Sequence, residues 1–501
     1  MNLLKLPQLQ KASKCDVYIQ QFDDKIVFYP VLPAIAAELT ITVKAIENNK
    51  LLLQKEQLFV NLKDTIGIAV GVTYQGFTHR IVRALLLSNR TFHLEDNRIA
   101  RAAIGSFPQP RLDLMHGFRF SQEALLTEAL LKDSSGLIGA PTRYGKTTLM
   151  VNTLRAYPTL TTCVVAPGVD LVKQLYADIT GTRGIAGRDV QLVSTGRKVR
   201  PMTPGSVTVC SIDSVHRLDP GSVELLLADE PHALVASSRL PLIDSFPKAR
   251  RIGYGATLKG RFDNKDPLIE GVFGPVLSER TYKEAVEEGA ICPLHILFLK
   301  VEVTPYIVRD RRHAYNRVLF HNKAAANMVK SICEDVIPSD FQTMIFVKDE
   351  RQADNVMEAL GEVGTLAMAK RLTTKQREEC DALMKANVIK RCICTKIYVQ
   401  GVTFSDVRVL INVEAGGNNT SAIQKPGRLA EIRPGKKCGI VIDFLFVPPG
   451  DCWEGYDPKL NAWMCLCKDS NSRRTAYEEK GYNITVVNNI EQLKEKFDEL
   501  I

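Results

Sequence analysis

The chain has 501 residues, which at roughly 150 per domain points to about three domains and argues against a single small module. Hydrophobic residues make up 45% and charged residues 24%, ordinary values for packed domains, so wholesale disorder, collagen-like repetition and a pure coiled coil are disfavoured. The 65 lysines and arginines exceed the 56 acids by 9, which suits a polyanionic partner but is far weaker than a histone-like tail.

No run approaches about eighteen apolar residues, and the opening MNLLKLPQLQKASKCDVY has no continuous apolar stretch, so neither a membrane span nor a signal peptide is expected and the protein reads as intracellular (cytoplasmic). Twelve cysteines are too sparse for a disulfide framework. Cys392/Cys394 and Cys452/Cys465/Cys467 raise the question of zinc, but neither group supplies two C-x-x-C knuckles, so core packing is the expected role.

In chain order, residues 1–110 suggest a small α+β domain. DVYIQQ, KIVFYP and LTITVKAI have strand patterns, and LPAIAAEL and THRIVRALLLSN have helical ones. Its 13 basic and 9 acidic residues leave a net +4, and Pro108 and Pro110 mark a linker. From 111 to 295 short apolar runs alternate with helical stretches: GLIGA, TTCVVAP, VQLVS, SVTVC, VELLLADE and RRIGYGAT. These are the continuous apolar strands of a parallel sheet covered on both faces. The rhythm resumes over 296–501 with TMIFV, GTLAMA, RCICT, VRVLINVEA and CGIVIDF, and NNIEQLKEKFDELI closes the chain as an amphipathic helix. The expected class is α/β, with two tandem parallel-sheet domains behind a small α+β N-terminal domain.

Ala140-Pro141-Thr142-Arg143-Tyr144-Gly145-Lys146-Thr147 stands between the apolar run GLIGA and a helical run, the strand, loop, helix context of a phosphate-binding Walker A loop. Gly145 lets backbone approach phosphate oxygens, the amides of the following helix point at them, and Lys146 neutralises the β and γ phosphates. The Thr147 hydroxyl is placed for Mg²⁺, with Thr148 beside it as a helix residue. Ala140 replaces the usual first glycine. Downstream, Leu225-Leu226-Leu227-Ala228-Asp229-Glu230-Pro231-His232 ends an apolar strand in paired acids, at the sheet edge where open α/β domains bind ligands. Asp229 suits the Mg²⁺ shell, Glu230 the activation of the attacking water, and His232 nucleotide sensing or a bridge toward the next domain.

With these two motifs the chain resembles a superfamily 2 helicase or translocase. Gln122 in Phe118-Arg119-Phe120-Ser121-Gln122 looks like the adenine-reading glutamine. Val165-Ala166-Pro167 with Gln174 resembles motif Ia, and Val209 through Ser214 the next contact to nucleic-acid backbone, with Ser211 at its centre. Gly255-Ala256-Thr257 is similar to motif III, Ile345 through Lys348 to motif IV, Thr395 through Gly401-Val402-Thr403 to motif V, and Gln424-Lys425-Pro426-Gly427-Arg428 to motif VI. The resemblance implies two RecA-like domains, ATP and Mg²⁺ as cofactors, Gln424 and Arg428 in catalysis with Arg428 as the arginine finger, and Gly401 at the nucleotide. It also implies nucleic-acid contacts at Pro167, Gln174, Ser211, Lys348, Thr395 and Arg473 of Ser472-Arg473-Arg474.

Two departures stand out. Members of the family commonly read Q-x-x-G-R-x-x-R, whereas here the last position is Glu431 and the next arginine is Arg433, which becomes the auxiliary catalytic candidate. Arg143 stands where many relatives have glycine. The compact N-terminal domain and the phrases FGPVLSERTYKEAVEEGAICPL and SRRTAYEEKGYNITVV look most like phage UvsW-type helicases that remodel branched DNA. Residues 1–110 would then recognise forked or junction DNA or act as a brace, and Arg309, Arg311, Arg312, His313, Tyr315 and Arg317 would grip DNA or form a solvated connector. The alternatives are a DExH RNA helicase and an ATP-gated nucleic-acid clamp that does not unwind.

Overall fold

A computed structural model describes residues 15–47, 50–63, 68–98, 107–194, 198–235, 239–256, 258, 264–303, 311–361, 365–367, 373–395, 407–416, 425–451 and 464–501. Contacts group the chain into two compact units, Met1–Pro141 with Gly145–Thr281, and Thr142–Tyr144 with Tyr282–Ile501.

The first unit holds two sheets and a hairpin. Strands β1 (Val17–Gln21), β2 (Lys25–Tyr29), β3 (Thr40–Glu47), β4 (Lys50–Gln57), β5 (Phe59–Lys63), β6 (Ala69–Tyr74) and β7 (Phe92–Asp96) build the N-terminal part, with helices α1 (Pro33–Glu38) and α2 (Thr78–Leu87). The sheet order is β5-β6-β2-β1-β7, and β3 pairs with β4 as a separate hairpin. Alternate residues Val17, Ile19, Ile26 and Phe28 point to one face, where Ile35 of α1 and Ile81 and Leu85 of α2 bury them. β7 lies parallel to β1 because the chain returns through α2, while the other pairs of this sheet are antiparallel.

This N-terminal part is docked on the neighbouring sheet domain. Phe77 and Leu268 share one buried cluster. At Gly76 a Cβ would stand 2.0 Å from the carbonyl oxygen of Glu270, so only glycine lets the two backbones meet. Beside that contact Arg80 Nε donates to Glu270 at 2.8 Å, and His79 Nε2 lies 3.3 Å from the same carboxylate. Lys265 pairs with Glu56 at 2.7 Å, tying the hairpin down.

The second sheet of this unit has the order β10-β11-β9-β12-β13-β8-β14, formed by β8 (Gly136–Gly139), β9 (Thr162–Ala166), β10 (Val190–Val193), β11 (Val207–Ser211), β12 (Leu225–Asp229), β13 (Arg250–Gly255) and β14 (Val276–Glu279). Every pairing in it is parallel. The central strands β9, β11 and β12 are buried throughout, the expected signature of a sheet covered on both faces.

The other unit repeats the architecture with β15 (Leu294–Glu302), β16 (Gln342–Phe346), β17 (Thr365–Ala367), β18 (Arg391–Cys394), β19 (Val407–Asn412), β20 (Gly439–Val447) and β21 (Asn483–Val487), in the order β17-β18-β16-β19-β20-β15-β21, again all parallel. Its start differs from the expected break at 295. The helix Tyr282–Glu287 belongs to this unit, because the Tyr282 hydroxyl accepts from Leu294 N at 2.7 Å and its ring packs edge-on against Tyr482 at 4.7 Å. Cys392 and Cys394 are buried in β18 and Cys467 in the helix Met464–Glu479, in keeping with packing roles; Cys452 lies outside the described residues. Among the described residues no helix is long and apolar enough to cross a membrane.

Candidate functional site

Strand β8 runs into the loop at Ala140, whose amide donates to Gly255 O at 3.0 Å, and the helix Lys146–Ala156 leaves it. The turn is made by two residues with positive φ, Arg143 at 73° and Gly145 at 101°. The first explains why glycine is common there, since an arginine pays backbone strain for that conformation. Gly145 has a second reason to be glycine: a Cβ would lie 2.4 Å from Gln122 Nε2. Gln122 is buried, its Oε1 accepts from Arg119 N at 2.9 Å, and its side chain abuts the turn at Gly145. Thr147 and Thr148 sit in the first turn of the helix, and Thr148 N donates to Gly145 O at 2.9 Å.

The paired acids close against this loop at the carboxyl edge of β12. Lys146 Nζ donates to Glu230 Oε1, with both side chains largely buried, and His232 Nδ1 lies 3.4 Å from Glu230 Oε2. Glu230 has φ 52°, a strained turn that swings its carboxylate off the strand, and Pro231 continues into a short helix. On β13, Gly253 leaves room for the Leu137 side chain and the Pro231 ring, and Gly255 for the Leu258 side chain, the packing reason for the glycines of GYGAT. Asp229 is 6% exposed and its Oδ1 has no hydrogen-bond partner. Burial pushes its carboxyl up to about 6, with Lys146 opposing and Glu230 reinforcing the rise. An orphaned carboxylate oxygen near the first turn of the helix Lys146–Ala156 fits a divalent cation.

Pro167 follows β9 half-buried and Gln174 is exposed on the helix Val169–Thr180. Ser211 does not sit on the surface as expected for a backbone contact; it is 3% exposed and its hydroxyl donates to Ser214 at 3.0 Å.

In the second unit, Arg428 lies on a 3₁₀ turn, Pro426–Leu429, and is half-buried. Glu431 accepts from Arg433 Nη2 at 2.6 Å. Lys348 is 47% exposed at the carboxyl end of β16, and Thr395 follows β18 half-buried. Gln424, Gly401, Val402, Thr403, Thr257 and Arg309 lie outside the described residues.

Arg473 is a correction. Instead of meeting nucleic acid it is 1% exposed, with Nη2 and Nε donating to Asp443 at 2.9 and 3.1 Å and Nη1 to Ala415 O at 2.6 Å. A guanidinium with its donors committed inside the core has none to offer a phosphate. Tyr315 is likewise buried, donating to Ala415 O at 3.1 Å, so it does not stack a base, and Arg311 pairs with Asp469 at 2.5 Å. That favours the connector for this segment. Sequence reasoning passed over Glu414, a 3% exposed acid following β19 and lying 2.8 Å from buried Lys425. The signal was available, since VRVLINVEA ends an apolar strand in an acid just as LLLADE does.

Two family models match in tandem, the type III restriction enzyme res subunit over residues 116–260 and the helicase conserved C-terminal domain over residues 327–433. Protein 22 of the Sulfolobus islandicus filamentous virus, named as a helicase, is 20% identical over 240 residues, which is 45% of this chain. The chain spans 43% of that relative's length. Among solved structures, the type ISP restriction-modification enzyme LlaBIII bound to DNA aligns with 83% of this chain and 35% of its own at 13% identity and a TM-score of 0.53, a likeness of fold. T4 UvsW aligns with 95% of this chain and 99% of its own at 10% identity, but the TM-score of 0.40 lends no weight to a shared substrate.

Proposed function

From the premise that this chain belongs to the superfamily 2 helicases, we propose that it is an ATP-dependent DNA translocase that remodels or unwinds branched DNA. The observation that carries the ATPase part is the cluster of Lys146, Asp229, Glu230 and His232 at one sheet edge, beside a strained phosphate-binding turn. Lys146 and Glu230 hold each other's charge; when triphosphate oxygens draw the ammonium away, Glu230 is released to orient and deprotonate the attacking water. Thr147 and Asp229 are the residues to hold Mg²⁺, whose charge offsets that of the phosphates. Gln122, against Gly145, supplies the polar edge for an adenine, and Arg428 stabilises charge on the transferred phosphoryl group.

Branched DNA is supported by the resemblance of FGPVLSERTYKEAVEEGAICPL and SRRTAYEEKGYNITVV to UvsW-type helicases and by an N-terminal part docked on the first motor domain through a buried cluster and ion pairs, which suits a wedge or sensor better than a tethered module. The N-terminal domain at 1–110 and the motor domains that follow are the working division of labour. The test compares ATPase and strand separation on forked DNA, four-way junctions, plain duplex and RNA, with Glu230→Gln as the inactive control. The proposal predicts forked or junction DNA as the strongest activator; greater stimulation by RNA would replace it with an RNA helicase, and stimulation without strand separation or triplex displacement with a clamp.

A further inference from the structure

Resting on the functional reading above, the geometry points to Glu414 as the residue through which nucleic-acid contact at Lys348 is felt by the turn that carries Arg428. We infer a three-charge relay, Lys348 to Glu414 to Lys425.

Glu414 follows β19 at the carboxyl edge of the second unit's sheet and is 3% exposed. Two lysines share its carboxylate. Lys425 Nζ lies 2.8 Å from Oε2, and Lys348 Nζ lies 3.6 Å from Oε1. Their surroundings are opposite: the Lys425 side chain is 4% exposed and that of Lys348 is 47% exposed. One buried carboxylate therefore divides its charge between a cation locked in the core and a cation open to solvent.

The buried side is fixed. Lys425 Nζ also donates to Asn412 Oδ1 at 2.8 Å, and Asn412 Nδ2 donates to Asp443 Oδ2 at 2.9 Å. Asp443 in turn accepts from Arg473 and from the Tyr477 hydroxyl at 3.1 Å. Asn412, Asp443 and Arg473 are each at most 1% exposed, so this end of the network has little freedom to move. Lys425 directly precedes the Pro426–Leu429 turn, and Arg428 N donates back to Lys425 O at 3.1 Å.

A phosphate that engages the Lys348 ammonium withdraws its share of Glu414. The carboxylate's charge then falls wholly on Lys425, where low exposure makes electrostatic attraction strongest. The change is expressed at Lys425, whose carbonyl accepts from Arg428 N at the start of the arginine-bearing turn. Nucleic-acid occupancy thereby tightens the catalytic turn through a few ångströms of side chain. Glu414 is a positioning residue in this scheme; it touches neither substrate.

The test separates contact from relay by comparing the half-saturating concentration of nucleic acid with the stimulated plateau of ATP turnover, using the full chain with oligo(dT) and a blunt duplex as probes. Lys348→Gln should lower the ratio of plateau to basal turnover by about tenfold even at saturating DNA, within the range that coupling between sites supplies. Glu414→Gln should lower the same ratio while the DNA concentration at half-saturation stays near the wild-type value. The double variant should lose no more than either single one, as expected for two members of one path. If Glu414→Gln fails to fold because Lys425 is left without its carboxylate, the solvent-exposed Lys348 position still decides. A Lys348→Gln plateau equal to wild type, with only the half-saturating concentration raised, overturns the relay and leaves the helicase reading intact. Wild-type turnover that neither these probes nor any branched substrate stimulates removes both.

Discussion

Replacing Glu270 with glutamine should loosen the N-terminal part from the first motor domain in a pH-dependent way. In the structure its carboxylate takes Arg80 Nε at 2.8 Å and His79 Nε2 at 3.3 Å, and the Glu270 and Arg80 side chains are each 21% exposed. Burial by itself raises the carboxyl pKa, but the hydrogen bonds and positive charge of His79 and Arg80 outweigh it and bring it from 4.5 down to about 2. That difference corresponds to about 3.4 kcal/mol at about 1.36 kcal/mol per pH unit, and solvent screening reduces it to about 2 kcal/mol. Because the folded-state value lies below the unfolded one, this stabilisation is complete above about pH 4.5 and disappears as the pH falls toward 2. Thermal melts of wild type and Glu270→Gln should differ by about 4–8 °C at pH 7, with the gap closing below pH 4.5. Equal melting temperatures at pH 7, or a gap of the same size at pH 7 and pH 3, would refute the reasoning.

Arg473→Ala should strip Asp443 of its bidentate partner in a fully buried setting and cost about 3–5 kcal/mol, read as a large fall in melting temperature; unchanged melting with weakened DNA binding would restore the surface role. Gly76→Val forces a side chain against the Glu270 carbonyl and should destabilise the docked N-terminal part by about 1–3 kcal/mol, seen as a lower melting temperature. Arg428→Ala should reduce ATP turnover by about a thousandfold, and near-normal turnover would exclude it as the finger. Arg433→Ala removes the hydrogen-bond donor at the Glu431 carboxylate and should weaken ATP affinity by a smaller factor, which Glu431→Gln in the same chain should restore.

The parts that sequence makes plain are those built on local pattern. Continuous apolar runs such as TTCVVA and GIVIDF became central parallel strands, and the loop before Lys146 formed a tight turn through Arg143 and Gly145 into a helix. Strands β14, β15 and β21 were harder to see, because edge strands and a strand following a turn-rich segment lack those boundaries. Charge was the main source of error. Arg473 and Ser211 have polar side chains that a sequence places outside by default, yet the distant Asp443 satisfies the first and the nearby Ser214 the second inside the fold. Glu431, standing where the family commonly has arginine, accepts from Arg433 two residues on, a pairing that the sequence alone does not show.

The contact at Gly76 has a further implication for how such a chain could have been assembled. Two domains joined through side chains can drift apart in sequence, each adjusting its own surface. Here a backbone carbonyl occupies the space where a side chain would stand, so the angle between the first sheet and the motor beneath it is written into the main chain. An N-terminal part borrowed from another protein could not be fitted by joining the chains end to end alone; residues 264–275 of the motor would have to travel with it. The unit of exchange is therefore a domain together with its socket.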